Sequence, residues 1–391
     1  MSERSHFIPL RRQDLVQKIQ GERSSEDFDE LARLIHHVIR FEADERAEVL
    51  RETYAPFDPD PEAEGVHGSA SEEAFLEHAE EVLTAANFRR VTDDELEAAL
   101  NASSLFPLLP HVDTSGYEIL RLYRRGQRDV EETEKGWRTL WKEKVNTIHV
   151  WERLVIILRL KPDALEEATA RTSSMRHGQI YLKLFKNIPQ NDVEMVLPNT
   201  KLKLRGLDRA MIGGPVVAGI GWTIFQSIGI LAAVASGAFA LSLDDPRLKA
   251  LGGVLVVLGG YLWKTHNKVK TTRLRYMQTL SQGLYFLNLA NNRSVLHQLL
   301  AFARDSDEKE ALLAYHILEA KGPMPKSALD KAAEAWIRNG SGRQSDFDVK
   351  GAVENLTRWG IVSAGGDALQ ALPVRKAGKR LVKLWAGEIS P

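Results

Sequence analysis

Residues 210–243 constrain this chain more than any other part of it, because they form 34 consecutive residues without a charge. About 20 apolar residues are enough for a helix to cross the hydrocarbon core of a bilayer. Val216, Val217, Ile220, Trp222, Ile224, Phe225, Ile228 and the run Ile230, Leu231, Ala232, Ala233, Val234 leave no polar stripe, whereas a helix packed on a water-facing core keeps one. A second uncharged stretch, residues 250–263, follows a loop that holds Asp244, Asp245 and Arg247. It has 14 residues, about 21 Å as a helix. Lys249 and Lys264 bracket it with stems long enough to reach headgroups, and Tyr261 and Trp263 suit an interface. The pair predicts a transmembrane hairpin over residues 210–263.

Basic residues gather on the two outer flanks of that hairpin: Lys201, Lys203, Arg205 and Arg209 before it, and Lys264, Lys268 and Lys270 after it. By the rule that basic residues stay on the cytoplasmic side, both termini are expected in the cytoplasm of a bacterial inner membrane, with these side chains on lipid headgroups. The start of the sequence has no apolar signal segment, so insertion would use the hairpin itself. Gly229, Ala233 and Gly237 recur every fourth residue, and Gly252, Gly253, Gly259 and Gly260 repeat at seven, a spacing that lets helix backbones approach closely. Homo-oligomerisation is the expectation they motivate.

The rest of the chain divides around the hairpin. Residues 1–100 carry a formal charge of −14 and read as mostly helical, with helices over 29–53 and 71–86 and a Pro- and Gly-containing linker over 58–70. Residues 101–209 read as an α+β sheet region, with strands at 117–123, 145–150, 154–160 and 180–185. Residues 264–304 read as a basic helix leaving the membrane, and residues 305–391 as a winged-helix-like domain. In the latter, helices over about 307–320, up to 338, and from an N-cap at Asp346 to Gly360 precede two short strands around the turn Gly365, Gly366, Asp367. The expected fold class is therefore an α+β multi-domain membrane protein: an α+β N-terminal region, a two-helix transmembrane hairpin, and a C-terminal helical segment with a winged-helix-like domain.

Catalytic signatures are absent from the sequence. Zero cysteines exclude thiol nucleophiles, iron–sulfur clusters and thiolate zinc sites. There is no phosphate-binding glycine loop, dinucleotide fingerprint, nucleophile elbow or His-Glu-x-x-His, so no catalytic residue, cofactor or metal is assigned. Adjacent His36 and His37 on a helix cannot both face one metal, and Asp58 and Asp60 lack the ligand spacing of a calcium loop. The third helix of the winged-helix-like domain carries Lys350 and Arg358 against Asp348 and Glu354, a formal charge of zero that suits a protein partner better than nucleic acid.

Several runs resemble a known family. The segment 178–198, with Tyr181, Lys183, Phe185, Lys186, Ile188, Pro189, Asp192, Glu194 and Pro198, resembles the signature of the transmembrane protein 143-like family, also designated domain of unknown function 3754. Residues 7–15, the run Tyr54, Ala55, Pro56, Phe57, Asp58, Pro59, Asp60, the run 283–288 and the run 310–317 are similar to the same family. The chain departs from it at Asn187, where Asp is expected, and at Val193, where Leu is common. The resemblance implies a multi-pass membrane protein with a soluble cytoplasmic or matrix-facing part, and it does not supply an activity. The leading expectation is an oligomeric, membrane-tethered interaction or scaffold protein whose partners are membrane lipids, further copies of itself, and a protein bound by the C-terminal domain. The alternatives are a channel or pore-forming effector gated by the outer domains, and an enzyme resting on Asp58, Asp60, Lys183, Lys186, Asp192 and Glu194.

Overall fold

Long amphipathic helices and one long β-hairpin set the frame. The computed structural model describes residues 7–22, 25–60, 70–101, 108–112, 114–134, 144–166, 175–198, 200–204, 284–365 and 368–389. They fall into two compact units, one of Met1–Ala99, Thr114–Val193 and Leu287–Pro391, the other of Leu100–Asp113 and Glu194–Phe286.

In the large unit, α1 (Arg12–Glu22) buries Leu15 and Ile19. Helix α2 (Glu26–Tyr54) follows, starting from Ser25 in an extended conformation, with Glu26, Asp27 and Asp29 at the positive end of its dipole. Its apolar stripe has two parts: Phe28, Leu31, Ala32, Ile35, Val38 and Ile39 enter one core, and Leu50 and Tyr54 enter another. Helix α3 (Glu72–Ala85) is capped by the Ser71 hydroxyl, which accepts from the Ala74 N–H at 3.2 Å. Strand β1 (Arg89–Arg90) and helix α4 (Asp93–Asn101) complete the N-terminal part.

The main sheet is fully antiparallel, in the order β1-β3-β4-β5-β7. Strands β3 (Tyr117–Glu134) and β4 (Lys144–Leu160) form its long hairpin; a short helix α5 (Pro162–Glu166) follows, and β5 (Tyr181–Pro189) pairs with β4. Leu154, Val155, Ile156, Ile157 and Leu158 are all buried, the unbroken apolar run of a strand covered on both faces. One face, with Ile119, Tyr123, Val155, Ile157, Leu182 and Leu184, packs on α3 and on α6 (Arg293–Lys321). Each such fully buried aliphatic side chain is worth about 1.5–3 kcal/mol relative to exposure. The small unit contributes β2 (Leu108–Val112) paired antiparallel with β6 (Thr200–Leu204).

Helix α6 repeats the design of α2. Val295, Leu296, Leu299, Leu300 and Ala303 belong to the sheet core, and Ala311 to Leu318 belong to the second core, which has the element order of a winged helix. There β8 (Met324–Pro325), α7 (Lys326–Ser341), α8 (Val349–Arg358), β9 (Val362–Gly365) and β10 (Ala368–Ala371) form three helices with the α6 C-terminal half and a sheet of order β8-β10-β9. Asp348, two residues later than the expected cap, accepts from the N–H groups of Lys350 and Gly351. Helix α9 (Val374–Ile389) closes the chain against α2.

Four expectations are corrected. The fold is α+β, but among the described residues no helix is long and apolar enough to cross a membrane. The two 29-residue helices, α2 and α6, have the length, about 44 Å, yet carry Glu42, Asp44, Glu45 and Arg46, or the block Asp305 to Glu310, at mid-length. The membrane part of the fold class and the inner-membrane location drawn from it are accordingly withdrawn. The hairpin itself, residues 210–263, lies outside the described residues, as do Gly229, Ala233, Gly237, Gly252, Gly253, Gly259, Gly260, Arg205, Arg209, Lys264, Lys268 and Lys270; Lys201 and Lys203 are described only as backbone in β6. The basic helix expected over 264–304 does not hold in its described part, residues 284–304: β7 (Asn288–Asn291) pairs with β5, and α6 begins only after Asn292, whose φ of 49° breaks the strand. The sheet's edge strands thus come from outside residues 101–209, the region to which the whole sheet was expected to belong.

Candidate functional site

Strand β5 carries the family-like signature and divides it by the period of a strand. Leu182 and Leu184 enter the sheet core, Phe185 and Ile188 are also buried, and Tyr181, Lys183, Lys186 and Pro189 are half-buried. The Tyr181 hydroxyl accepts from the Arg176 N–H at 2.8 Å and donates to Gln179 at 3.1 Å. Lys183 donates to Asn291 of β7 at 3.4 Å. Asp192, Glu194 and Pro198 are buried, and both carboxylates are engaged. Asn187 has φ 53°, a left-handed backbone that Asn and Asp tolerate better than other side chains, which accounts for the expected Asp being replaced by Asn.

Asp58 and Asp60 form a lock. The Asp58 side chain is 1% exposed and pairs with Arg293 at 3.0 Å, while its other oxygen accepts from the Asp60 N–H at 3.0 Å. Asp60 accepts from Asn292 at 2.6 Å, and Asn292 in turn bonds both backbone groups of Leu182. Tyr54 donates to the Ile180 carbonyl at 2.9 Å, its phenol pushed strongly up by burial and then by Asp58. The two aspartates therefore tie the end of α2 to β5 and to the start of α6. Lys183 donates to Asn291, the neighbour of Asn292, and Lys186 lies opposite Arg153 on the sheet. Of the six side chains of the enzyme reading, the structure brings Asp58 and Asp60 together.

Charge is concentrated elsewhere, in the middle of α6. Ser306, Asp307, Glu308, Lys309 and Glu310 are all buried where the helix passes from one core to the other. Burial of that kind requires partners. Glu308 takes Arg12 and, at 2.9 Å, His36; Asp307 takes Arg46 at 3.0 Å; Lys309 takes Asp305 at 2.5 Å; Asn87 donates to Glu310 at 2.7 Å. Desolvation pushes the carboxyls of Asp307 and Glu310 above their ordinary range, Arg46 and Asn87 respectively opposing it.

Two clefts flank this charged segment. One, of about 690 Å³, lies between α3 and α8, where Glu77, Glu80, Glu81, Asp307, Glu310, Asp348 and Glu354 outnumber Arg46 and Lys350. The other, of about 420 Å³, lies beneath the segment 7–12 and is dominated by arginines, among them Arg11, Arg125, Arg153 and Arg343. Gly126, next to Arg125, has φ 71°, and a Cβ there would stand 2.9 Å from Glu152 and 3.1 Å from Phe7. Among the described residues no three His, Asp or Glu are grouped to hold a metal ion.

The buried charged centre of α6 and the arginine-lined cleft are not read from the sequence. The run 305–310 reads as the polar start of a separate domain, because six consecutive polar or charged residues ordinarily mark a solvated face. The available signal was its position between two apolar stripes of one unbroken helical period, Leu296 to Ala303 and Ala311 to Leu318.

The large unit is an α+β protein in which an antiparallel sheet and a module with the element order of a winged helix share a single helix with a buried charged centre. Residues 151–294, from β4 to the start of α6 and including the signature strand, match the family described as protein of unknown function (DUF3754). No solved structure matches the chain.

Proposed function

We propose that this chain is a non-enzymatic interaction protein that assembles with copies of itself and uses its winged-helix module to hold a protein partner. One observation carries the reading: the face of α8 that a nucleic-acid-binding winged helix presents to a groove is here, with Lys350, Glu354 and Asn355, one wall of the acidic cleft. Glu77, Glu80 and Glu81 on the opposite wall repel a phosphate backbone. The charged side chains that invite a catalytic reading support the same conclusion, since Asp58 and Asp60 are spent on Arg293 and Asn292. Within the matched family, the run 178–198 supports a finer place among the transmembrane protein 143-like sequences.

Self-association is supported by the division of charge, −14 in the first 100 residues against +13 in the remainder. The exposed face of α9 with Lys376, Lys379, Arg380 and Lys383 is basic, as an acidic cleft on another copy would require. Light scattering on the full chain tests this. A mass that is a multiple of the chain at low salt and falls as salt screens the charges is expected. A monomer at every salt concentration contradicts it.

A further inference from the structure

Most buried charges in the large unit are matched to an opposite charge; Arg125 is not. It is 8% exposed, its guanidinium carbon 4.7 Å from the ring centre of Phe7, 5.0 Å from Phe302 and 6.0 Å from Phe88. Its one described hydrogen bond is long, 3.4 Å to the neutral Ser306 hydroxyl, and its Nε has no acceptor among the described residues. Rings hold a guanidinium by its faces and leave the in-plane donors free. Burial lowers its pKa to about 10, partly opposed by Asp305 and Glu310, so it remains cationic at neutral pH.

The sheet register supplies a second, independent observation. Arg125 of β3 lies directly opposite Arg153 of β4, which lies directly opposite Lys186 of β5. Two residues back along the strands, Tyr123, Val155 and Leu184 form the floor of the sheet core, so the three cations continue that same face. Like charges directly opposite one another on a sheet are destabilising. Three in a row, one of them buried, call for an anion above them.

The 420 Å³ cleft covers the end of that row formed by Arg125 and Arg153, which line it together with the exposed Arg11 and Arg343, while Lys186 stands outside its lining. No carboxylate among the described residues pairs with any of these four. Of the two lining carboxylates, Asp305 is held by Lys309, and Glu152 offsets part of the charge at Arg125 without pairing with it. The volume lies in the range of small-molecule sites and is far more than a phosphate alone fills. Phe7, Ile8 and Leu10 supply an apolar side to the same cleft.

We propose that this cleft binds a small organic phosphate, its phosphoryl oxygens held by Arg125, Arg153, Arg11 and Arg343 and its carbon portion lying against Phe7, Ile8 and Leu10. The planar guanidinium fork matches phosphate oxygens two at a time, and the ligand's charge relieves the repulsion along the Arg125, Arg153, Lys186 row. The site is separate from the acidic cleft and does not rest on the function proposed above.

Isothermal titration of the full chain with inorganic phosphate, glycerol 3-phosphate and adenosine monophosphate tests it, with sulfate and adenosine at matched ionic strength as controls. Saturable binding of an organic phosphate, tighter than inorganic phosphate and absent for adenosine, is the expected result. Arg11→Ala and Arg343→Ala, both at exposed positions, should each weaken it by about tenfold through loss of a charged hydrogen bond, without moving the ligand-free melting temperature. Arg125→Lys, which keeps the charge but loses the fork, should weaken it at least as much. No saturable heat from any of the three phosphates overturns the proposal, as does equal binding of sulfate or binding that survives all three substitutions.

Discussion

Asn87 donates a 2.7 Å hydrogen bond to Glu310, joining the turn after α3 to a carboxyl that is 3% exposed inside α6. Asn87 itself has φ 60°, a backbone state in which asparagine is among the better-tolerated side chains. A single amide thus satisfies one oxygen of a buried acid that no cation directly pairs with in the described residues. Burial remains the larger effect, and Glu310 holds its proton to higher pH in the folded chain than in the unfolded one.

This fixes the sign of the pH dependence. Asp307 and Glu310 both have folded pKa values raised from ordinary values of 3.8 and 4.5, so between those values and the raised ones the folded state binds more protons than the unfolded state. Stability from this pair is fully present below the ordinary values and is lost as pH rises through the raised ones. Glu310→Gln keeps an oxygen to accept from Asn87 and removes the charge. It should raise the denaturation midpoint at neutral pH and flatten the decline that sets in as pH rises above the ordinary value of 4.5. Urea titrations at several pH values measure this, and an unchanged slope would contradict it.

Asp58 and Asp60 separate by burial. Asp58→Ala removes a carboxylate that serves both Arg293 and a backbone N–H and should cost about 1–3 kcal/mol. Asp60→Ala loses one exposed hydrogen bond to Asn292 and should cost about 1 kcal/mol or less. Chemical denaturation ranks the two, and an equal or reversed ranking would mean that the lock is misassigned.

Two glycines with positive φ give a paired comparison. At Gly178, φ 80°, a Cβ meets nothing within 4 Å, so Gly178→Ala should cost only the left-handed backbone penalty of about 1–2 kcal/mol. At Gly126 the same penalty is joined by contacts with Glu152 and Phe7, so Gly126→Ala should cost more and disturb the aromatic setting of Arg125. Thermal melting of both variants decides it.

Local periodicity made much of the fold legible. The apolar spacing of Leu31, Leu34, Ile35 and Val38 marks α2, Ser71 marks the start of α3, and the branched residues from Leu154 to Leu160 mark the end of β4. What escaped was non-local. Nothing near Asn288 announces that residues 288–291 will pair with β5, because that strand depends on a partner about 100 residues away. The candidate site escaped for a related reason: Arg125, Arg153 and Lys186 are unremarkable singly and become a row only through strand register. The uncharged run 210–243 invited the membrane reading by composition alone, and the described helices do not extend it.

In the proposed function the α8 face belongs to an acidic, protein-binding cleft. The most direct test is titration of the full chain against a fluorescent DNA duplex across a salt series, with Lys350→Ala and Arg358→Ala alongside. The account predicts no saturable binding at any salt concentration. Saturable binding that weakens steeply with salt and is reduced by Lys350→Ala would contradict it.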